Sequence, residues 1–111
     1  MNNHKDDEYY VEKIITAIEF IIKHMEGVSF QAFSKNEILQ DSMSFRMVQI
    51  HEHAKNLTDA FKMKHEDIPW GDIAGLRNRI VHDYGSVDYN LVYDTLTEDI
   101  PALLEVLKNT D

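Results

Sequence analysis

A chain of 111 residues can bury one hydrophobic core and is too short for two, so we expect a single domain over residues 1–111. It contains no cysteine, which excludes disulfides and thiolate metal sites. The formal net charge of −9 argues against a general nucleic-acid coat, because non-specific binding needs Lys and Arg to neutralise phosphates. Its acidic excess is concentrated after His82, so any nucleic-acid site should be local, around Arg77 and Arg79.

No apolar run approaches the length of about 18 residues that a membrane span needs, and the first eight residues are polar rather than signal-like. We therefore expect a soluble, cytoplasmic protein with no membrane partner.

The first half of the chain shows helical periodicity. Apolar residues at intervals of three and four, followed by Gly27, predict a helix from about Asp7 to Glu26. Ser29 can cap a short helical turn. A second long helix is predicted from Asn36 to Lys64. Its apolar positions are Ile38, Leu39, Met43, Met47, Ile50, Ala54, Leu57 and Phe61.

The second half of the chain continues this pattern without any strand signal. Pro69 suits the first turn of a third helix, predicted from Trp70 to Tyr84, because its missing N–H costs nothing there. Asp88 can cap a fourth helix, which Pro101 either kinks or ends. The predicted fold is all-α, an up-and-down bundle of four to five helices around two long antiparallel ones.

Within the third predicted helix, one face should be buried at about 100° per residue. That face comprises Trp70, Ile73, Ala74, Leu76, Ile80 and Val81. Arg77 and Tyr84 fall inside the same stripe, whereas Arg79 falls on the solvent side. An arginine in a buried stripe needs a partner, a wet cleft or an interface, so Arg77 calls for a specific explanation.

His82 follows Arg77 by five residues, which separates the two side chains by about 140° on an ideal helix. Fraying of the helix end near Gly85 could bring them together, and so could a second copy of the chain across a two-fold axis. Asn78 lies on the same side of the helix as His82.

The spacing Arg77, four residues, His82, one residue, Tyr84 resembles the R-x4-H-x-Y signature of the HEPN superfamily, specifically its HepT-like ribonuclease toxins. The surrounding residues agree with this resemblance over nearly the whole chain. They are Ile68-Pro69-Trp70, Ile73-Ala74-Gly75-Leu76, Val87-Asp88, Thr97-Glu98-Asp99-Ile100-Pro101 and, upstream, Ala54-Lys55-Asn56-Leu57 with Phe61.

The resemblance implies a homodimer, or a higher oligomer, whose two motifs meet in a cleft and cleave RNA, with tRNA as one candidate substrate. It implies no metal and no cofactor. It also implies an MntA-like nucleotidyltransferase antitoxin that silences the ribonuclease by transferring AMP to Tyr84.

The chemistry of these side chains suits that activity. The 2′-hydroxyl of RNA is its own nucleophile, so the protein must supply proton transfer and stabilise charge on the phosphate. A histidine side chain ordinarily titrates near neutrality, so His82 can act as the acid and base. Arg77 can bind the phosphate oxygens. Asn78 can support the site by orienting His82 or donating to the substrate.

Structural interpretations of the same residues stay open. His82 suits a helix C-terminus through the helix dipole. Arg77 can pair with Asp72 or Glu98, and Tyr84 can belong to the core. Arg79 is a surface or phosphate-contact residue.

Two other function classes also stay open. One is a non-catalytic HEPN subunit that binds nucleotide or substrate for a minimal nucleotidyltransferase. The other is a structural helical dimer without chemistry.

His51 stands where the HepT-like branch usually has glycine. It therefore predicts looser local packing or an altered dimer interface, since glycine would allow close helix approach. His51 and His53 lie about 200° apart on a helix and cannot chelate one ion without outside ligands. No metal site is expected.

Overall fold

The computed structural model describes residues 6–80 and 87–109, and every regular element in these ranges is helical, which confirms the all-α prediction. The elements, in chain order, are α1 (Asp7–Met25), α2 (Phe30–Ser34), α3 (Glu37–Lys55), α4 (Asp59–Lys64), α5 (Trp70–Ala74), α6 (Leu76–Ile80), α7 (Tyr89–Asp94), a π-helical segment (Thr95–Asp99) and α8 (Ile100–Lys108). No described helix is long and apolar enough to cross a membrane.

The first helix begins and ends where its sequence predicts. The Asp6 carboxylate accepts a hydrogen bond of 2.9 Å from the Tyr9 N–H and caps α1. Gly27 has a φ of +74°, a left-handed conformation that favours glycine and ends the helix. Ser29 caps α2 by accepting a hydrogen bond from the Ala32 N–H, as predicted.

The second long helix is shorter than predicted. The helix begins where expected, with Asn36 as the N-cap of α3, but α3 ends at Lys55 and the prediction that it continues to Lys64 is wrong. Thr58 begins the separate helix α4, its hydroxyl accepting a hydrogen bond from the Phe61 N–H. Ile38 was expected in the core and is instead 84% exposed at the start of α3.

Contacts between Asp7 and Thr58 join the start of α1 to the cap of α4, three residues after the end of α3. The Thr58 N–H donates to Asp7 Oδ1 over 2.9 Å, and the Thr58 hydroxyl donates to Asp7 Oδ2 over 2.7 Å. These bonds hold the two long helices antiparallel. Their seam forms much of the core and buries Ile14, Ile18, Ile21, Met43, Met47 and Ile50 completely.

The third predicted helix, from Trp70 to Tyr84, is not continuous. It divides at Gly75, whose N–H bonds to the carbonyls of Gly71 and Asp72, while the Asn78 N–H reaches back to the Gly75 carbonyl over 3.0 Å. Gly75 therefore separates α5 from α6. The last predicted residues, Val81–Tyr84, lie outside the described residues.

The C-terminal segment runs back along α1. Asp88 caps α7 through the Leu91 N–H, as predicted, and α7, the π-helical segment and α8 follow one another directly. The Tyr93 hydroxyl donates to the Val28 carbonyl over 2.7 Å, and Lys108 lies 3.6 Å from Glu19. Later residues of this segment thus meet earlier residues of α1, so the two run antiparallel.

Helices α5 and α6 form the remaining layer. His51 of α3 lies 3.5 Å from the Ile73 carbonyl, and Trp70 shares a small pocket with Ala54 and Lys55. This order makes α5 antiparallel to α3. The described helices therefore pack in the predicted up-and-down sense, with α2 and α4 as short connecting helices.

The Asp7–Thr58 contact makes a test of the fold. Replacing Thr58 by alanine removes the cap of α4 and one bond to Asp7, and we expect it to lower the free energy of unfolding by about 1–2 kcal/mol. Urea denaturation followed by circular dichroism measures this. Ser34→Ala is the matched control, since the Ser34 hydroxyl only donates to the exposed Gln31 carbonyl of its own helix. Equal stability of the two variants would contradict the proposed tie between α1 and α3.

Candidate functional site

Arg77 lies on α6 with its side chain exposed to solvent. The prediction that it occupies a buried stripe is therefore wrong. Its guanidinium makes no hydrogen bond or ion pair with any residue of the described ranges, and this includes Asp72 and Glu98, the acids considered as structural partners. Asn78, the next residue, is also exposed. The two side chains are available to a ligand.

Arg79, in contrast to Arg77, has a structural role. It was predicted on the solvent side, but its side chain is only 25% exposed. Arg79 Nη1 donates to Asp99 Oδ2 over 2.7 Å and to the Thr95 hydroxyl over 3.3 Å. Asp99 and Thr95 both belong to the π-helical segment, so Arg79 ties α6 to the C-terminal layer.

The exchange of roles between the two arginines has a geometric reason. Ile73, Leu76 and Ile80 are buried, as predicted, and define the inner face of this layer. On an ideal helix Arg77 stands about 60° from Ile80 on one side, and Arg79 about 100° on the other. Arg77 lies at one edge of the inner face, where a long side chain can extend its charged end into water. Arg79 lies at the opposite edge, where Asp99 accepts its hydrogen bond.

Ala74 was expected on the buried face as well, but it is exposed. It precedes Gly75, where the division between α5 and α6 interrupts the regular helical rotation on which that expectation rested.

The chain has three arginines, and two of them have structural partners. Arg46 packs its guanidinium over the Phe20 ring, with 3.8 Å between Cζ and the ring centroid. Arg79 pairs with Asp99. Arg77 is thus the arginine without a partner among the residues that the structure describes. An unpaired, exposed guanidinium can bind a phosphate with two parallel hydrogen bonds.

His82 and Tyr84, the other residues of the predicted motif, lie outside the described residues. They follow the last residue of α6, Ile80, by two and four positions. Their roles remain predictions.

An apolar groove of about 180 Å³ lies beside Arg79, between α5–α6 and α8. Its walls include Ile73, Leu76, Ile100 and Leu103. The charge of Arg79 at its edge is already neutralised by Asp99. This groove therefore offers a phosphate little attraction, and the exposed side of α6 is the better candidate surface.

The two histidines of α3 have separate surroundings. His51 is partly buried, with Nδ1 3.5 Å from the Ile73 carbonyl, so it lies between α3 and α5. The His53 ring lies 6.0 Å from that of Tyr10 on α1. Partial burial, and then the nearby charge of Lys13, hold the pKa of His53 below its ordinary value. Within the described ranges, no group of three or more potential ligands could hold a metal ion.

Comparison with known families decides the assignment of the chain. The family model described as "Ribonuclease HepT-like" matches residues 14–110. The chain belongs to this family. The match runs from within α1 to the end of α8 and includes the motif residues Arg77, His82 and Tyr84.

Curated relatives agree with membership of the HepT-like family. The chain is 35% identical to "Putative RNase TTE0752" of Caldanaerobacter subterraneus subsp. tengcongensis, over 89% of this chain and 88% of the relative. It is 35% identical to "Probable ribonuclease HepT" of Thermococcus cleftensis, over 91% of this chain and 89% of the relative. No solved structure matches the chain significantly.

The name of a third relative combines a ribonuclease with another enzyme activity. The chain is 33% identical to "Gamma-glutamylcyclotransferase and putative RNase MJ0434" of Methanocaldococcus jannaschii, over 91% of this chain but 46% of the relative. In that protein the region similar to this HepT-like chain is part of a longer polypeptide.

The different environments of Arg77 and Arg79 make a prediction. Arg79→Met removes the bonds to Asp99 and Thr95, and we expect it to lower the free energy of unfolding by about 1 kcal/mol. Arg77→Met makes the same chemical change on an exposed side chain, and it should alter stability by less than about 0.5 kcal/mol. Denaturant unfolding of both variants measures the difference, which should shrink at high salt because Asp99 is exposed. A larger loss for Arg77→Met would show that the two roles are assigned the wrong way round.

Proposed function

We propose that this HepT-like protein is a metal-independent endoribonuclease, with Arg77 as the phosphate-binding residue and His82 as the acid and base. The observation that supports it most directly is the exposed Arg77 guanidinium, which has no anionic partner in the described ranges although the chain has a net charge of −9. In so acidic a protein, a cation left unpaired is available for an anionic ligand. The names of the relatives support RNA as that ligand.

The proposed reaction uses the 2′-hydroxyl of RNA as the nucleophile. His82 removes its proton while the 2′-oxygen bonds to phosphorus and the bond to the 5′-oxygen breaks, leaving a 2′,3′-cyclic phosphate. An acid, which is a second His82 or the same one after proton transfer, protonates the departing 5′-oxygen. Arg77 donates to the non-bridging oxygens and stabilises the charge that builds on them. Asn78, exposed beside Arg77, supports the site by donating to the substrate or orienting His82.

We propose that the site is completed in a homodimer. Two large apolar side chains of α3, Ile38 and Phe45, are 84% and 59% exposed, and their spacing of seven residues places them on one face of the helix. Contact between two such faces would bury them. In this proposal the same contact also brings a second motif to each site, which would answer the angular separation of Arg77 and His82.

We further propose that an MntA-like nucleotidyltransferase antitoxin controls the activity by attaching AMP to Tyr84. The added phosphate would place a negative charge near Arg77 and compete with RNA for the guanidinium. In this proposal the protein is the toxin of a toxin–antitoxin pair and acts on cellular RNA, including tRNA.

The ribonuclease proposal predicts loss of cleavage in two variants. Unmodified protein, verified by intact mass, should cut total RNA or tRNA in EDTA. Replacing His82 by alanine should lower the cleavage rate at least a hundredfold, because proton transfer is lost. Arg77→Ala should have a similar effect, and Arg77→Lys should retain part of the activity because it keeps the charge but not the paired hydrogen bonds. Gel analysis of end-labelled RNA gives the rates.

Lys35→Gln, which removes an exposed cation between α2 and α3, is the matched control and should cut like the native protein. Native activity in Arg77→Ala would refute its role in phosphate binding. If the unmodified native chain cuts none of several RNA pools, the alternative of a non-catalytic HEPN subunit of a nucleotidyltransferase replaces the proposal.

The regulatory proposal predicts a covalent change at one residue. Incubation with the nucleotidyltransferase and ATP should add the mass of AMP to the native chain and abolish RNA cleavage. Peptide mapping should locate the added mass at Tyr84. Tyr84→Phe lacks the acceptor hydroxyl, so it should gain no mass and should stay active in the presence of the enzyme and ATP. Modification of Tyr84→Phe at the same peptide would contradict Tyr84 as the acceptor.

A further inference from the structure

The groove of about 180 Å³ beside Arg79 is lined mainly by apolar side chains, and we call it the α6–α8 groove. Its apolar lining includes Pro69, Ile73 and Leu76 on one wall and Leu103 and Val106 on the other. A cavity of about 150 Å³ with an apolar lining is large enough to hold a benzene molecule. The α6–α8 groove can therefore receive a large apolar side chain from a partner.

The length of the groove suits a helical partner. Ile100 and Val106 of α8 both line it, and they are separated by about 9 Å along the helix axis. Side chains three or four residues apart on a partner helix are separated by about 4.5–6 Å along its axis, so two of them match this length. This is the spacing with which an amphipathic helix enters an apolar groove.

Acidic side chains surround the α6–α8 groove. Asp72 and Asp99 line it directly, and Glu105 follows Ala102 by three residues, which makes these two neighbours on the surface of α8. Asp72 and Glu105 are exposed and form no ion pair within the described ranges. Arg79 also lines the groove, but Asp99 neutralises its charge. The rim of the groove is therefore negatively charged.

The charge of the rim favours one class of occupant. RNA is repelled, because its phosphates carry the same sign of charge. A second copy of this chain has a net charge of −9 and brings no excess of positive charge. A protein segment whose apolar face is flanked by Lys or Arg matches both the apolar walls and the acidic rim.

The α6–α8 groove also adjoins the helix that carries the proposed phosphate-binding residue. Leu76 and Arg79 of α6 line the groove, and Arg77 lies between them in the sequence. Tyr84, the proposed acceptor of AMP, follows Arg79 by five residues. A protein bound in the groove would contact the same short helix from which the chain continues to this tyrosine.

We propose that the α6–α8 groove is the docking site of the nucleotidyltransferase, which binds through a basic amphipathic helix. Two apolar side chains of that helix enter the groove, and its Lys or Arg side chains pair with Asp72 and Glu105. The inference rests on the proposed regulation by AMP transfer, and it gives that regulation a recognition surface separate from the Arg77 and His82 motif.

Ala102 offers a direct test, because it lines the groove and is exposed, so that a larger side chain there leaves the core intact. Ala102→Arg fills the groove and adds a positive charge. We expect it to raise the Kd for the purified nucleotidyltransferase by at least about tenfold, measured by isothermal titration calorimetry without ATP. RNA cleavage should stay at the native rate. Ala32→Arg is the matched control, since it makes the same change at an exposed position of α2 and should leave the Kd unchanged.

A second variant tests the charge of the rim alone. Asp72→Asn combined with Glu105→Gln keeps the apolar walls and removes two negative charges. We expect it to raise the Kd about fivefold at low salt, and the difference from the native chain should shrink as salt is added.

A native Kd for Ala102→Arg would overturn the inference, and so would a native chain that does not bind the nucleotidyltransferase. A smaller oligomer of Ala102→Arg in sedimentation would also overturn it, because a second copy of the chain would then occupy the groove. Loss of RNA cleavage in Ala102→Arg with an unchanged circular dichroism spectrum would assign the groove to RNA instead. In each case, RNA cleavage by the native chain tests the ribonuclease proposal independently.

Discussion

The bond between Arg79 and Asp99 is the polar contact that joins α6 to the C-terminal layer. Helix α6 spans only five residues, Leu76–Ile80, and so short a helix has little stability of its own. Two things hold it: burial of Leu76 and Ile80, and the Arg79 guanidinium, which reaches Asp99 and Thr95 of the π-helical segment. With Arg79 committed inward, Arg77 faces outward from a fixed helix. The position of Arg77, the candidate phosphate-binding residue, therefore depends on the contacts of Arg79, two residues away.

Local signals in the sequence predicted much of the fold. Gly27, Ser29, Asn36 and Asp88 act through the backbone a few residues away, and each begins or ends a helix where expected. The failures arise where a distant residue decides. The second long helix stops at Lys55 although its apolar spacing continues, because Thr58 caps a new helix and bonds to Asp7, 51 residues earlier. The apolar periodicity of the sequence alone cannot predict the contact between Thr58 and Asp7.

The candidate site shows the same difference between features that the local sequence predicts and features that distant residues decide. The motif spacing identified the family, which the family model over residues 14–110 establishes. The environments of Arg77 and Arg79 were nevertheless predicted in reverse, because helical angles locate a side chain on its own helix and not relative to a neighbour. Asp99 lies 20 residues beyond Arg79, and nothing in the local sequence indicates that the two would meet. Arg46 on Phe20 was missed for the same reason, since it depends on the packing of α3 against α1.

The sequence separation of the Arg79 contact bears on how the molecule assembles during synthesis. In a chain that grows from its amino end, α1 and α3 can pair as soon as Thr58 has emerged. Helix α6 then exists for a further 20 residues without its partner, because Asp99 has still to be added. The C-terminal layer is secured later, when Lys108 can reach Glu19. The nascent polypeptide can therefore pair α1 with α3 before it can fix α6 through Arg79, which makes the position of Arg77 on α6 a late product of translation.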